Sequence, residues 1–207
     1  PLTIDGKIDD AVYRTVPAVT DFIQQVPREG QPATEQTEMW VFFDDKTLYI
    51  SLRCLDSEPS REIATELRRD NQGLFNNESV SVVLDTFYDR RNGYTFQTGP
   101  LGTIREQAIA DGQLSESWNT VWEVRSSRSD DGWATEMAIP FKSLRYRSGR
   151  EQTWGVQLRR NIRSKNELAY ITLVNPAWAQ RGLHHYSEAA TLVGLEAPPA
   201  ARNLEIK

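Results

Sequence analysis

Apolar and polar positions alternate with period two along most of the chain. Leu48, Ile50, Leu52 and Cys54 fall on one side of an extended run, and Tyr49, Ser51 and Arg53 fall on the other. That is the pattern of a strand with one face in a core. Glu38 to Phe43 precedes this run across the polar turn Asp44-Asp45-Lys46-Thr47, so Thr37 to Asp56 predicts an aromatic β-hairpin. The alternation recurs at Val80, Val82 and Leu84, at Tyr94 to Gln97, and at Thr103 to Ala110. Trp122 to Val124 leads through Ser129-Asp130-Asp131-Gly132 into Trp133, Thr135, Met137 and Ile139, where Pro140 ends the ladder. Trp154, Val156, Leu158 and Ile162 mark a further strand, and Ala189 to Val193 a last one. Helix is expected only at Ile8 to Arg14, Ser60 to Leu67 and Phe141 to Leu144; in the second, Ser60 caps and Ile63 and Leu67 form the buried stripe.

Many short strands separated by polar turns predict an all-β fold, an antiparallel β-sandwich of immunoglobulin-like or jelly-roll-like type with two or three short helices. One domain is expected over residues 1–195. Residues 196–207, rich in Ala and Pro, read as a linker toward a further C-terminal region. The chain opens at Pro1 without a methionine or an apolar leader and reads as a processed or excised piece. No apolar run approaches the roughly 18 to 20 residues of a spanning helix.

Charge narrows the function. Lys and Arg number 24 against 29 Asp and Glu, a net charge of −5, with both signs scattered. A nucleic-acid surface would need a clustered basic face, so no nucleic-acid partner is expected. The lone Cys54 sits in phase with apolar neighbours and reads as a small buried hydrophobe. Only two histidines exist, His184 and His185, and there is no HExxH motif, nucleophile elbow or phosphate loop, so the chain is not expected to be an enzyme.

Aromatic residues supply the remaining chemistry. Trp122, Trp133 and Trp154 lie in phase with apolar neighbours and are assigned to the core. Trp118, among Ser115, Glu116, Ser117 and Asn119, and Trp178, among Asn175, Pro176, Gln180 and Arg181, lie in loop contexts suited either to a ligand or to a lid over the core. Asp56, Asp70 and Glu78 flank a long loop; they could gather hard oxygens around Ca²⁺, or act as a strand end, a solvated charge and a strand start. Haem binding through an axial Met is a lesser alternative, since Met39, opposite in phase to Trp40, and Met137, on the apolar phase of its strand, read first as structural. Docking of the module on a protein partner is another, with Arg145-Tyr146-Arg147 and Arg159-Arg160 making polar contacts.

Five phrases occur in order: "IDGKIDDAVY" from Ile4, "TEMWVFFDDKTLYISLRCLD" from Thr37, "ESVSVVLDTFYDRRNGYTFQTGPLGT" from Glu78, "WNTVWEVRSSRSDDGWATEMAIPFKSLRY" from Trp118 and "WGVQLRRNIRSKNE" from Trp154. Together they resemble the N-terminal domain of a bacterial envelope family related to family 9 carbohydrate-binding modules, from Leu2 to about Leu195. The resemblance implies a non-catalytic glycan-binding sandwich in the cell envelope, in the periplasm or at the outer-membrane surface, attached to an outer-membrane β-barrel and carrying structural calcium. Docking on that barrel or on a protein partner is the runner-up. The aromatic clamp of sugar-binding members maps onto Phe75, where they have tryptophan, and Trp178. The expected site is therefore Trp178 stacking on a sugar, Phe75 or Trp118 opposite, and hydrogen bonds from Gln97, Arg105 and Asn175, with Asp56, Asp70 and Glu78 as the metal set.

Overall fold

The computed structural model describes residues 2–199. The predicted hairpin is formed by β2 (Thr37–Phe43) and β3 (Thr47–Leu55), in register from Thr37 opposite Cys54 to Phe43 opposite Leu48. Asp44 Oδ1 accepts the backbone N–H groups of Lys46 at 2.8 Å and Thr47 at 2.9 Å, which closes the turn. Beyond β3 lie β9 (Gly132–Pro140) and β8 (Glu123–Ser129), completing a four-stranded sheet. The facing sheet runs β1 (Ile23–Val26), β11 (Glu167–Tyr170), β10 (Glu151–Ile162), β4 (Ser79–Asp85), β5 (Gly93–Thr98), β6 (Arg105–Ala110) and β7 (Gln113–Ser115); an eighth strand, β12 (Ala190–Glu196), also pairs with β10. All pairings are antiparallel, as the sequence predicts.

Period two places Leu48, Ile50, Leu52 and Cys54 in one cluster with Val80, Val82, Leu84, Trp154, Val156 and Leu158, joining the two sheets. Trp122 and Trp133 belong to the same core, as do Met39 and Met137. Full burial of a leucine such as Leu52 contributes about 1.5–3 kcal/mol. Arg160 also points between the sheets; its guanidinium donates to the carbonyls of Gln36 at 2.9 Å and Leu55 at 2.7 Å, tying the start of β2 to the end of β3.

The helical expectations shrink to single turns. α1 covers only Val12–Thr15, and Phe141–Ser143 is a 3-10 turn. Between Ser60 and Leu67 only Pro59–Arg61 is helical, and Ile63 and Leu67 are exposed rather than buried. The segment is held extended by tertiary hydrogen bonds: Glu78 N–H donates to Ile63 O at 2.7 Å, and Glu66 N–H to Asn77 Oδ1 at 3.1 Å. These outweigh the weak propensity of so short a helix. The short strands β1, β7 and β11 carry too few residues for a clear alternation and were not foreseen. Past Leu195, Ala197 is buried and Tyr146 donates to Pro198 O at 2.8 Å, so packing continues through Pro198. The remainder of the expected linker, 200–207, lies outside the described residues.

The opening phrase is a clip over the outer face of the four-stranded sheet. Glu136 on β9 accepts the backbone N–H groups of Asp5 at 2.9 Å and Gly6 at 2.8 Å on one oxygen, and the Tyr13 hydroxyl at 2.5 Å on the other. Gly6 has φ +85° and lies so close to Ser126 that a Cβ would sit 2.8 Å from its backbone carbon. Tyr13 meets Trp40 and Phe42 edge-on, at centroid distances of 5.2 and 5.7 Å, covering their rings.

Candidate ligand-binding site

The outer face of the larger sheet carries a polar row. Antiparallel register sets Arg159 on β10 opposite Ser81 on β4, Ser81 opposite Gln97 on β5, and Gln97 opposite Arg105 on β6. Because side chains alternate across a strand, the partners of these residues on the other face, such as Leu158, Val82 and Phe96, fill the core. Arg105 donates to Gln97, Gln97 Nε2 donates to Ser81 Oγ at 3.0 Å, and Arg159 Nη2 reaches the same hydroxyl at 3.4 Å. Arg105 also pairs with Glu116 at 3.2 Å.

Phe75 bridges the two ends of this row. It sits in the 3-10 turn Gln72–Asn76, which starts where Asn71 Oδ1 accepts Gly73 N–H at 2.7 Å and is anchored by buried Leu74. Asn161 fastens the far end, donating to the carbonyls of Phe75 at 3.0 Å and Asn77 at 2.9 Å. The guanidinium carbons of Arg105 and Arg159 lie 4.9 and 5.5 Å from the Phe75 ring centroid, so one ring contacts two cations.

Between Phe75 and the loop Pro176–His184 opens a cleft of about 280 Å³, close to the lower end of small-ligand sites at about 300 Å³. Phe75, Arg159 and Asn161 form one side, Pro176, Ala179 and Gln180 the other, with Gln25, Arg163 and Asn166 also lining it. Asn175 Oδ1 caps the loop by accepting Ala177 N–H at 2.8 Å, and Gln25 Nε2 ties the loop to β1 through Ala179 O at 3.0 Å. Ala179 stands at φ 45°, ψ −134°, a conformation nearly confined to glycine. Such strain costs about 1–3 kcal/mol and concentrates at ligand sites. At the end of the loop, burial first and then the Arg159 and Arg105 charges push the His184 imidazole down to about 4, so it is neutral at pH 7.

Phe75, Gln97 and Arg105 are thus brought together, but Gln97 and Arg105 are buried beneath the ring and bonded to each other rather than lining the cleft. Trp178 lies in the cleft-side loop yet is turned away, stacked on His185 at 3.7 Å with 7° between planes and packed on the small cluster of Val83, Tyr170 and Leu183. Asn175 acts as the loop's cap. Trp118 is apart from all of these: it packs on Tyr94 and Phe96, which lie on the core side of β5, whereas Gln97 lies on the outer side. The sequence reading placed Arg159 only in the partner-docking alternative and missed Asn161, Arg163 and Gln25. Alternation along β10 does place Arg159 opposite in face to Leu158, but only strand order reveals Arg105 two strands beyond β4.

The three acids expected to hold calcium do not form one set. Asp56 and Glu78 are both buried, each with one carboxylate oxygen that lacks a hydrogen-bond partner. Asp70 lies elsewhere, paired with Arg69 and bonded through its N–H to Ile104 O. Among the described residues no group of three or more His, Cys, Asp or Glu side chains is placed to hold a metal. Burial, with a smaller push from Asp56 and against the pull of Arg160, instead raises the Glu78 carboxyl to about 7.

Comparison with known proteins accords with this architecture. Two solved structures of a family 9 carbohydrate-binding module from Caldicellulosiruptor kristjanssonii share the fold: the complex with cellotriose at TM-score 0.63 and 14% identity, covering 100% of this chain and 94% of that one. The complex with glucose gives TM-score 0.64 and 13% identity, covering 100% and 96%. No curated protein matches the chain by sequence. The family model described as carbohydrate family 9 binding domain-like matches residues 4–182, nearly the whole β-sandwich, and the chain belongs to that family.

Proposed function

We propose that this protein is a non-catalytic glycan-binding module whose sugar lies in the cleft between Phe75 and the Pro176–Gln180 wall. The observation that carries the reading is the cleft itself: an aromatic face on one side, a strained loop on the other, and amide and guanidinium groups of Asn161, Arg163, Asn166 and Gln180 around it. Apolar ring faces take the C–H side of a pyranose while amides and guanidinium groups bond its hydroxyls. The similar module from C. kristjanssonii was solved with cellotriose and with glucose, which supports a saccharide as the ligand class. A glycosidase would need two carboxylates flanking the bond to be cleaved, and among the described residues no Asp or Glu lines this cleft. An envelope setting beside an outer-membrane barrel is inferred with it, on the resemblance of the five sequence phrases.

Affinity electrophoresis against a panel of neutral and acidic polysaccharides tests the reading. Phe75→Ala should weaken retention about 10- to 30-fold, the loss of one stacking face worth about 1.5–2 kcal/mol, with little change in melting temperature. Trp178→Ala should do the opposite, lowering melting through lost packing while retention falls less than threefold. Loss of retention only in Trp178→Ala would contradict the assignment.

A further inference from the structure

The cleft is cationic on a protein of net charge −5. Among the described residues two arginines, Arg159 and Arg163, line it, and no carboxylate does. Among the described residues no Asp or Glu lies within ion-pair distance of either, although nine other arginines are so paired. Arg163 is half-buried and donates at 2.8 Å to a neutral amide, Asn166. Arg159 is only 2% exposed, reaches Gln180 O and Ser81 Oγ at 3.3 and 3.4 Å, and leaves its Nε without a partner. A buried guanidinium without a counter-charge is unfavourable unless something else supplies one. Arg105 beneath Phe75 adds a third positive charge, paired with the half-exposed Glu116 and also felt by Asp70.

Resting on the glycan-binding reading, we infer that the cleft selects an acidic saccharide, a sugar unit whose carboxylate meets Arg159 and Arg163 while its ring lies against Phe75. A guanidinium fork matches a carboxylate in two parallel hydrogen bonds, so these arginines suit a planar anion better than a hydroxyl pair. Closure over such a ligand would replace the long Arg159 contacts by charge-assisted ones. The uncharged Asn161, Asn166 and Gln180 would serve the sugar hydroxyls.

Isothermal titration of the whole chain with trigalacturonate, cellotriose and inorganic phosphate tests this. Trigalacturonate should bind at least tenfold more tightly than cellotriose, and its affinity should fall as salt is raised, because added ions screen the contact. Arg163→Gln should reduce the trigalacturonate-to-cellotriose affinity ratio at least fivefold. Arg14→Gln, an exposed position outside the cleft, removes the same charge and should leave that ratio unchanged. Arg159→Gln should act like Arg163→Gln if it folds; Arg163 carries the test if it does not. Cellotriose binding as tightly as trigalacturonate, with the ratio unmoved in Arg163→Gln, would overturn the acidic preference and leave the glycan reading intact. Phosphate binding as tightly as the trisaccharide would reduce the site to a simple anion pocket and overturn the inference. Binding of none of the three would overturn both readings.

Discussion

The two outer faces of the sandwich use the same kinds of residue to opposite ends. On the four-stranded sheet, Trp40 and Phe42 are covered by Tyr13, and buried Glu136 receives three donors from the N-terminal clip. On the larger sheet, Phe75 leans over arginines, Arg159 keeps an unmatched N–H, and a cleft stays open beside it. Aromatic rings and buried charge do not by themselves mark a binding site. Hydrogen-bond satisfaction separates the two clusters: the Glu136 carboxylate is saturated by donors from its own chain, whereas the Arg159 guanidinium keeps an N–H with no partner among the described residues.

The largest effect should come from breaking the closed face. Glu136→Ala strips three donors of their acceptor and should destabilise the fold by about 3–4 kcal/mol, at roughly 1 kcal/mol or more per orphaned group. Denaturant unfolding measures this, and glycan retention by the remaining folded protein should be unchanged. A loss of retention equal to that of Phe75→Ala would erase the distinction between the faces.

A second buried carboxylate sharpens the same contrast. Glu136 has both oxygens engaged, whereas Glu78 accepts from Arg163 and Ser164 on one oxygen and has no partner on the other. With its folded pKa raised to about 7, Glu78 favours the protonated fold. Its contribution is complete below the unfolded carboxyl value of about 4.3 and is lost as pH rises through 7, a decline of up to about 3.5 kcal/mol. Urea midpoints between pH 4.5 and 8 should show that slope, and Glu78→Gln should flatten it. Calcium or a chelator should leave the profile unmoved; a calcium-dependent rise would mean that Glu78 and Asp56 share a metal instead.

The smallest effect concerns the rim of the open face. Ala179→Gly relieves a backbone conformation that costs about 1 kcal/mol or more with a Cβ present. Thermal melting should rise by a few degrees, while the looser loop should bind the glycan more weakly. A fall in melting would show that the Ala179 methyl packs rather than strains.

The sheets were legible in the sequence because their inner faces are written as strict alternation: Leu48 to Cys54, Val80 to Leu84 and Trp154 to Leu158 all enter the core that period two predicts. The helix at Ser60 to Leu67 was misread because hydrogen bonds to Asn77 and Glu78, distant in the chain, decide that segment. Part of the candidate cleft was visible as well. Phe75 and the Trp178 loop do face one cleft, although Trp178 itself turns onto His185. The Arg159–Ser81–Gln97–Arg105 row was hidden because β10, β4, β5 and β6 are neighbours only in the folded sheet. Trp118, read from its polar sequence neighbours as a loop residue, is half-buried against Tyr94 and Phe96 and lines a separate cavity with Arg145, away from Phe75.

Backbone amide shifts recorded while an oligosaccharide is titrated in would locate the ligand directly. The account predicts that the largest changes fall at Phe75, Asn161, Arg163, Ala179 and Gln180, with the clip from Asp5 to Tyr13 silent. Changes centred on Trp118 or on the clip, with the Phe75 cleft silent, would contradict it.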